Sequence, residues 1–244
     1  MQFRISLVVC NLEQDSNDQA DMLAHLLKSL SRPETTLVVV ILVYSFIPTF
    51  GGLFRIALLS GFGPESAPAN PRALAEPFPF VVHVLSSFVF CIAGALQFLP
   101  SIRRYRPRAH RVNGSAVAVA GFVAAATGLW MTIGYTFPTE LQGSLLHWVR
   151  VVLSVAMMAL IGLAVFAIRS RDVFQHGAAM LRAYAIGQGA STQAFLGIGW
   201  IITTGNEPLG ILRDCVMVGA WVLNLAVAEV FIATWRRGKV ALGH

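Results

Sequence analysis

Charged side chains are scarce in this chain: they make up 12% of its 244 residues, about half the share of an ordinary soluble domain. So few charges cannot cover a water-facing surface. With 56% hydrophobic residues and a mean hydropathy of +0.67, the composition points to an integral membrane protein. Cysteine is scarcer still. Cys10, Cys91 and Cys215 are the three in the chain and none sits in a C-x-x-C pair, which excludes a disulfide framework, a cysteine-rich zinc site and covalent c-type haem attachment. There is no G-x-x-x-x-G-K-[ST], G-x-S-x-G or H-E-x-x-H, so phosphate-loop, serine-hydrolase and zinc-protease chemistry has no support. The first 33 residues lack a basic start followed by a long apolar run and do not read as a secretory signal.

What is present is a series of long apolar runs. A helix needs roughly 20 residues to cross ~30 Å of hydrocarbon, and six stretches qualify: Thr36–Ser60, Phe78–Pro100, Val112–Tyr135, Ser144–Ile168, Gly177–Thr203 and Gly210–Trp235. The expected fold is all-α, a polytopic membrane protein of six transmembrane helices in which spans two to five form a four-helix core. Residues 1–33, polar with Glu13, Asp15, Asp18 and Asp21, precede a membrane domain over 34–238, and 239–244 form a short tail.

The formal charge of +6 is distributed by topology. Arg103, Arg104, Arg106, Arg108 and Arg111 follow span two, Arg169 and Arg171 follow span four, and Arg236, Arg237 and Lys239 follow span six. The alternate loops carry Glu65, Glu76, Glu140 and Glu207 with Arg72 and Arg213. By the positive-inside rule both termini are cytoplasmic, and the expected location is a cytoplasmic membrane. The basic residues are thereby accounted for without nucleic acid.

Four histidines, His83, His110, His147 and His176, each stand near the start of a different span. Successive helices run in opposite directions, so His83 and His147 share one depth near the outer face, and His110 and His176 another near the inner face. Two imidazoles at one level on neighbouring helices suit the two axial positions of a b-type haem. An all-histidine pair suits haem iron better than structural zinc, which takes four protein ligands. The expected metal ligands are therefore His83 with His147 and His110 with His176, for two b haems, with the inner pair resting on more of the sequence.

Helical period adds a second pattern. Gly94, Gly121 and Gly187 each follow a histidine by eleven residues, which is about three turns and within roughly 20° on the same face. Such glycines leave room for a porphyrin edge, or let helices pack closely. Arg150, three residues after His147, and Arg108 and Arg111 beside His110 are candidates to hold propionates. Arg55 and Arg213 are further candidates for propionates or for an acidic small molecule. Ionisable groups inside a span take partners, so Arg182 is expected to pair with Glu229 and Met180 to serve as packing.

The segments "HRVNG" (His110–Gly114), "HGAAMLRAYA" (His176–Ala185), "HVLSSFVFCIAGALQFLPSIRR" (His83–Arg104) and "NLAVAE" (Asn224–Glu229) resemble a family of bacterial predicted membrane proteins that share a domain of unknown function. The resemblance runs from about residue 77 onward and implies a multi-pass helical fold. His147 lies in "LLHWVRVV", outside these segments. In architecture the histidine pairing is similar to transmembrane di-haem b-type cytochromes that are reduced by ascorbate. The expected function is transmembrane electron transfer by a haem-dependent oxidoreductase, with quinol, ascorbate or a redox protein as partner. The alternative is a haem-free accessory subunit of a larger membrane complex.

Overall fold

A computed structural model describes residues 31–64 and 70–241. The polar N-terminal segment therefore lies almost wholly outside the described residues, as do Glu65 and the last three residues. The helices are α1 (Arg32–Leu59), α2 (Pro71–Ala75), α3 (Pro77–Ala95), α4 (Pro100–Tyr105), α5 (Pro107–Gly134), α6 (Ser144–Arg169), α7 (Val173–Gly187), α8 (Gly189–Thr204) and α9 (Gly210–Ala241). Helices α2, α3, α4 and α5 each begin on a proline, whose fixed φ and missing N–H suit the first helical position.

Among the described residues five helices are long and apolar enough to cross a membrane: α1, α3 with its continuation to Phe98, α5, α6 and α9. They fall on five of the six predicted stretches. Over Gly177–Thr203 the expected single span is instead two helices, α7 of 15 residues and α8 of 16. At about 22–24 Å each is shorter than the hydrocarbon layer. The break falls at Gln188, between Gly187 and Gly189, the residue type least costly to take out of a helix. Backbone groups near it find partners on α9: Asn224 Nδ2 donates to Ala185 O (3.2 Å) and Trp221 Nε1 to Ile186 O (3.1 Å). Gln188 itself is buried and donates to Ser45 Oγ (2.8 Å) and to Tyr184 Oη (2.9 Å). Partners of this kind are what a broken helix needs where water is absent.

Helices α3–α5, α5–α6, α6–α7 and α7–α3 pack in turn, closing a ring in which α3 faces α6 and α5 faces α7 across the diagonals. The buried core is drawn from these four, with Phe90 and Cys91 from α3, Val117 and Ala125 from α5, Met157 and Ile161 from α6, and Ala183, Tyr184 and Ile186 from α7. Helices α1 and α9 flank the ring. Outward faces remain apolar, as at Val40, Val43, Phe166, Val230 and Phe231, which suits a lipid solvent rather than water.

Carboxylates fix both ends. At the end bearing Arg104, Glu34 accepts from Ser31 N and Oγ in the first turn of α1, and from Ser101 N (2.8 Å) and Oγ (2.6 Å) of α4. At the end bearing Tyr135, α6 starts after Gly143, which has no side chain to cap it. Asp214 of α9, 1% exposed, accepts instead from Gly143 N (3.0 Å) and Leu146 N (3.1 Å). These bonds combine a capping role with a charged acceptor. Asp214→Ala is expected to lower stability by about 2 kcal/mol and Asp214→Asn by about half of that, measured by denaturant unfolding of the detergent-solubilised protein. Equal stability of all three proteins would rule out the capping role.

Candidate functional site

Near the Tyr135 end the ring opens into a cavity of about 470 Å³, within the usual size of small-molecule sites. Its walls come from α1, α3, α5, α6 and the break between α7 and α8, with α9 contributing Arg213 and Trp221. His83 stands in the α3 wall with its ring against Gly128 of α5. Its Nδ1 lies 2.9 Å from Ala124 O. A carbonyl only accepts, so Nδ1 carries the proton and Nε2 is left as a lone-pair nitrogen.

His147 is placed elsewhere. It lies on the first turn of α6, where Nδ1 meets Gln142 Nε2 (3.3 Å) and the ring stands edge-on to Trp148. Residues lining the cavity include His83 but not His147, so the two are at one end of the molecule without sharing a chamber.

Four arginines line the same cavity: Arg55, Arg72, Arg150 and Arg213. Arg150 donates to Gln142 Oε1 and stands over the Phe137 ring, 5.7 Å from its centroid. Arg72 stands over the same ring at 4.7 Å. Arg213 Nε donates to Leu141 O (3.2 Å). Of the residues expected to hold an acidic group, Arg55, Arg150 and Arg213 are thus brought together; Arg72 joins them through the short helix α2. No carboxylate lines the cavity among the described residues.

At the Arg104 end, His110 of α5 and His176 of α7 stand across a diagonal of the ring, within electrostatic reach of each other. His176 repeats the arrangement of His83. Its Nδ1 is 2.9 Å from Ala164 O on α6, so that Nδ1–H donates to a carbonyl that can only accept. His110 Nδ1 is buried and has no hydrogen-bond partner, and Gln97 Nε2 is in the same condition. Arg108 and Arg111 are exposed on the first turns of α5. Among the described residues no cluster of three or more His, Cys, Asp or Glu has the arrangement of a metal site.

The space above the three spaced glycines is occupied by rings. A Cβ on Gly94 would lie 2.6 Å from the Tyr184 ring, one on Gly187 2.6 Å from Phe90, and one on Gly121 closer still to the other side of Phe90. Arg182 and Glu229 form the expected pair, with Nε–Oε1 at 2.5 Å and a second bond at 2.8 Å. It is on the periphery, with half of the Glu229 side chain exposed. Met180 packs against the core, as expected.

Residues 80–232 match a family described as predicted membrane protein (DUF2306), and the chain belongs to that family. It is accordingly a multi-pass membrane protein. No curated protein and no solved structure matches it.

The close approach of Phe90 to two glycines yields a prediction. Gly187→Ala is expected to destabilise by about 1–3 kcal/mol through overpacking, and Phe90→Leu in the same chain to recover part of the loss. Thermal unfolding of the two single variants and the double variant reads the coupling; strictly additive losses would show that this contact is not the cause.

Proposed function

We propose that this protein is a haem-dependent electron carrier of the bacterial cytoplasmic membrane, with the haem held between His110 and His176. It crosses six times, α7 and α8 together making one interrupted crossing. Both termini face the cytoplasm, because the Arg104 end carries the arginine-rich loops.

The observation that carries the reading is the pair of imidazoles itself. His176 is oriented by Nδ1–H to Ala164 O, the kind of second contact that a metal-ligating histidine makes. His110 stands across the ring with a buried ring nitrogen unpaired in the protein. Two imidazoles on diagonal helices would fit the donor set of a b-type haem. Haem, when bound, supplies one-electron exchange. The chain orients the ligands, excludes water through the core above them, and offers Arg103, Arg104, Arg108 and Arg111 at the same end to acidic groups. At the opposite end one imidazole, His83, lines the cavity, so the proposal rests on the His110–His176 end.

One feature favours a second reading, a haem-free accessory subunit: Phe90 and Tyr184 fill the room that the spaced glycines leave. A dithionite-reduced minus air-oxidised spectrum with a pyridine haemochrome assay separates the two. A b-type spectrum is expected, lost in His110→Ala and His176→Ala and kept in His83→Ala. A flat spectrum from folded protein made with ample haem would overturn the proposal in favour of the accessory subunit.

A further inference from the structure

The cavity beside His83 has chemistry that the proposed haem at the other end does not use. Its mouth is cationic and its floor is not. Arg150 feels the charge of both Arg72 and Arg213, although like charges brought together out of water are costly. Each is held by a neutral group: the Phe137 ring for Arg72 and Arg150, the Gln142 side-chain oxygen for Arg150, and the Leu141 carbonyl for Arg213. Such partners fix geometry and carry no charge. Asp214 offsets part of the charge of Arg150 but hydrogen-bonds to Gly143 N and Leu146 N rather than to a guanidinium group. The ion pair of the described residues, Arg182–Glu229, belongs to another part of the molecule. Below the guanidinium groups the walls are mostly apolar, with Phe90, Met157, Ile186 and Trp221 beside the small hydroxyls of Ser87 and Ser154.

We infer that this cavity binds an amphipathic organic anion, its acidic head among Arg72, Arg150 and Arg213 and its apolar body along Phe90, Met157 and Trp221. Guanidinium forks match a carboxylate or phosphate head, and the floor rewards an alkyl or aromatic body. The inference stands whether or not haem is bound between His110 and His176.

The test uses the full chain in nanodiscs of zwitterionic lipid, titrated with decanoate, decanol and inorganic phosphate and read by the fluorescence of Trp221 against a Trp221→Phe control. Decanoate is expected to bind at least about tenfold more tightly than decanol or inorganic phosphate. Arg72→Gln and Arg213→Gln are each expected to weaken decanoate about tenfold and to leave decanol unchanged, with Arg72→Lys recovering part. Melting temperatures of the unliganded variants near that of the wild type keep misfolding from imitating the loss. Equal binding of decanoate and decanol, or Gln variants with wild-type affinity, would overturn the inference. So would inorganic phosphate competing as tightly as decanoate, because the apolar body would then contribute nothing. A second haem lost with His83→Ala would assign the cavity to haem, overturning this inference while leaving the proposed function in place.

Discussion

The ring of Phe90 sits where two helices have no side chain, against Gly121 of α5 on one edge and Gly187 of α7 on the other. The four-helix ring closes around this contact. Phe90 is 1% exposed and its neighbour Tyr184 fills the corresponding gap over Gly94, so two aromatic rings join α3, α5 and α7 at the level where the core is densest. In hydrocarbon, helices gain little from hiding apolar surface, and close packing against small residues supplies the association energy. Removing either glycine's vacancy would push the ring apart. The cavity lies directly on this plug, since Phe90 is part of its floor.

The same plug carries the polar chemistry of the helix break. Tyr184 Oη donates to Cys91 O (2.7 Å) and accepts from Gln188 Nε2 (2.9 Å). Gln188 continues to Ser45 of α1, and Ser191 Oγ donates to its Oε1 (2.8 Å). Beyond it Thr192 Oγ1 donates to Asn224 Oδ1 (2.6 Å), with Tyr44 Oη bonded to Thr192. A chain of satisfied polar groups thus runs from α3 through the break to α1 and α9. It lets α7 stop and α8 start inside the protein without leaving unpaired backbone in lipid, and it ties both flanking helices to the ring.

Much of the helical frame was legible because hydrophobic run length is a strong signal in a membrane protein. Arg182–Glu229 was legible because an ionisable group at that depth has few alternatives to a partner. The break at Gln188 had a signal, a polar residue between two glycines, but hydropathy averaged over a window runs through it. Asp214 had none: it caps a helix 68–71 residues distant in sequence, and the vacancy it fills is visible only as a glycine where a capping residue is usual. The spacing of eleven from histidine to glycine falls on glycines of a packed face. Spacing does not say what occupies the gap, and neighbouring helices supplied aromatic rings. The placement of His147 turned on Gln142 and Trp148, local partners in a loop and first turn where depth alone decides little.

The two arginine populations were read from one rule, and physics separates them. Arg103, Arg104, Arg108 and Arg111 are exposed at one end, where water and lipid phosphates screen them and topology is sufficient reason for their presence. Arg72, Arg150 and Arg213 violate that rule: they stand at the opposite end, only partly exposed, with Arg150 close enough to be repelled by both of the others. Topology provides no reason to gather cations there, and the nearby acid, Asp214, offsets only part of the charge of Arg150 while its hydrogen bonds go to the start of α6. Mutual repulsion of this sort raises the free energy of the unliganded protein, and an anion among the three relieves it. The stabilisation appears only on binding, so the feature that burdens the fold is the one that selects the ligand.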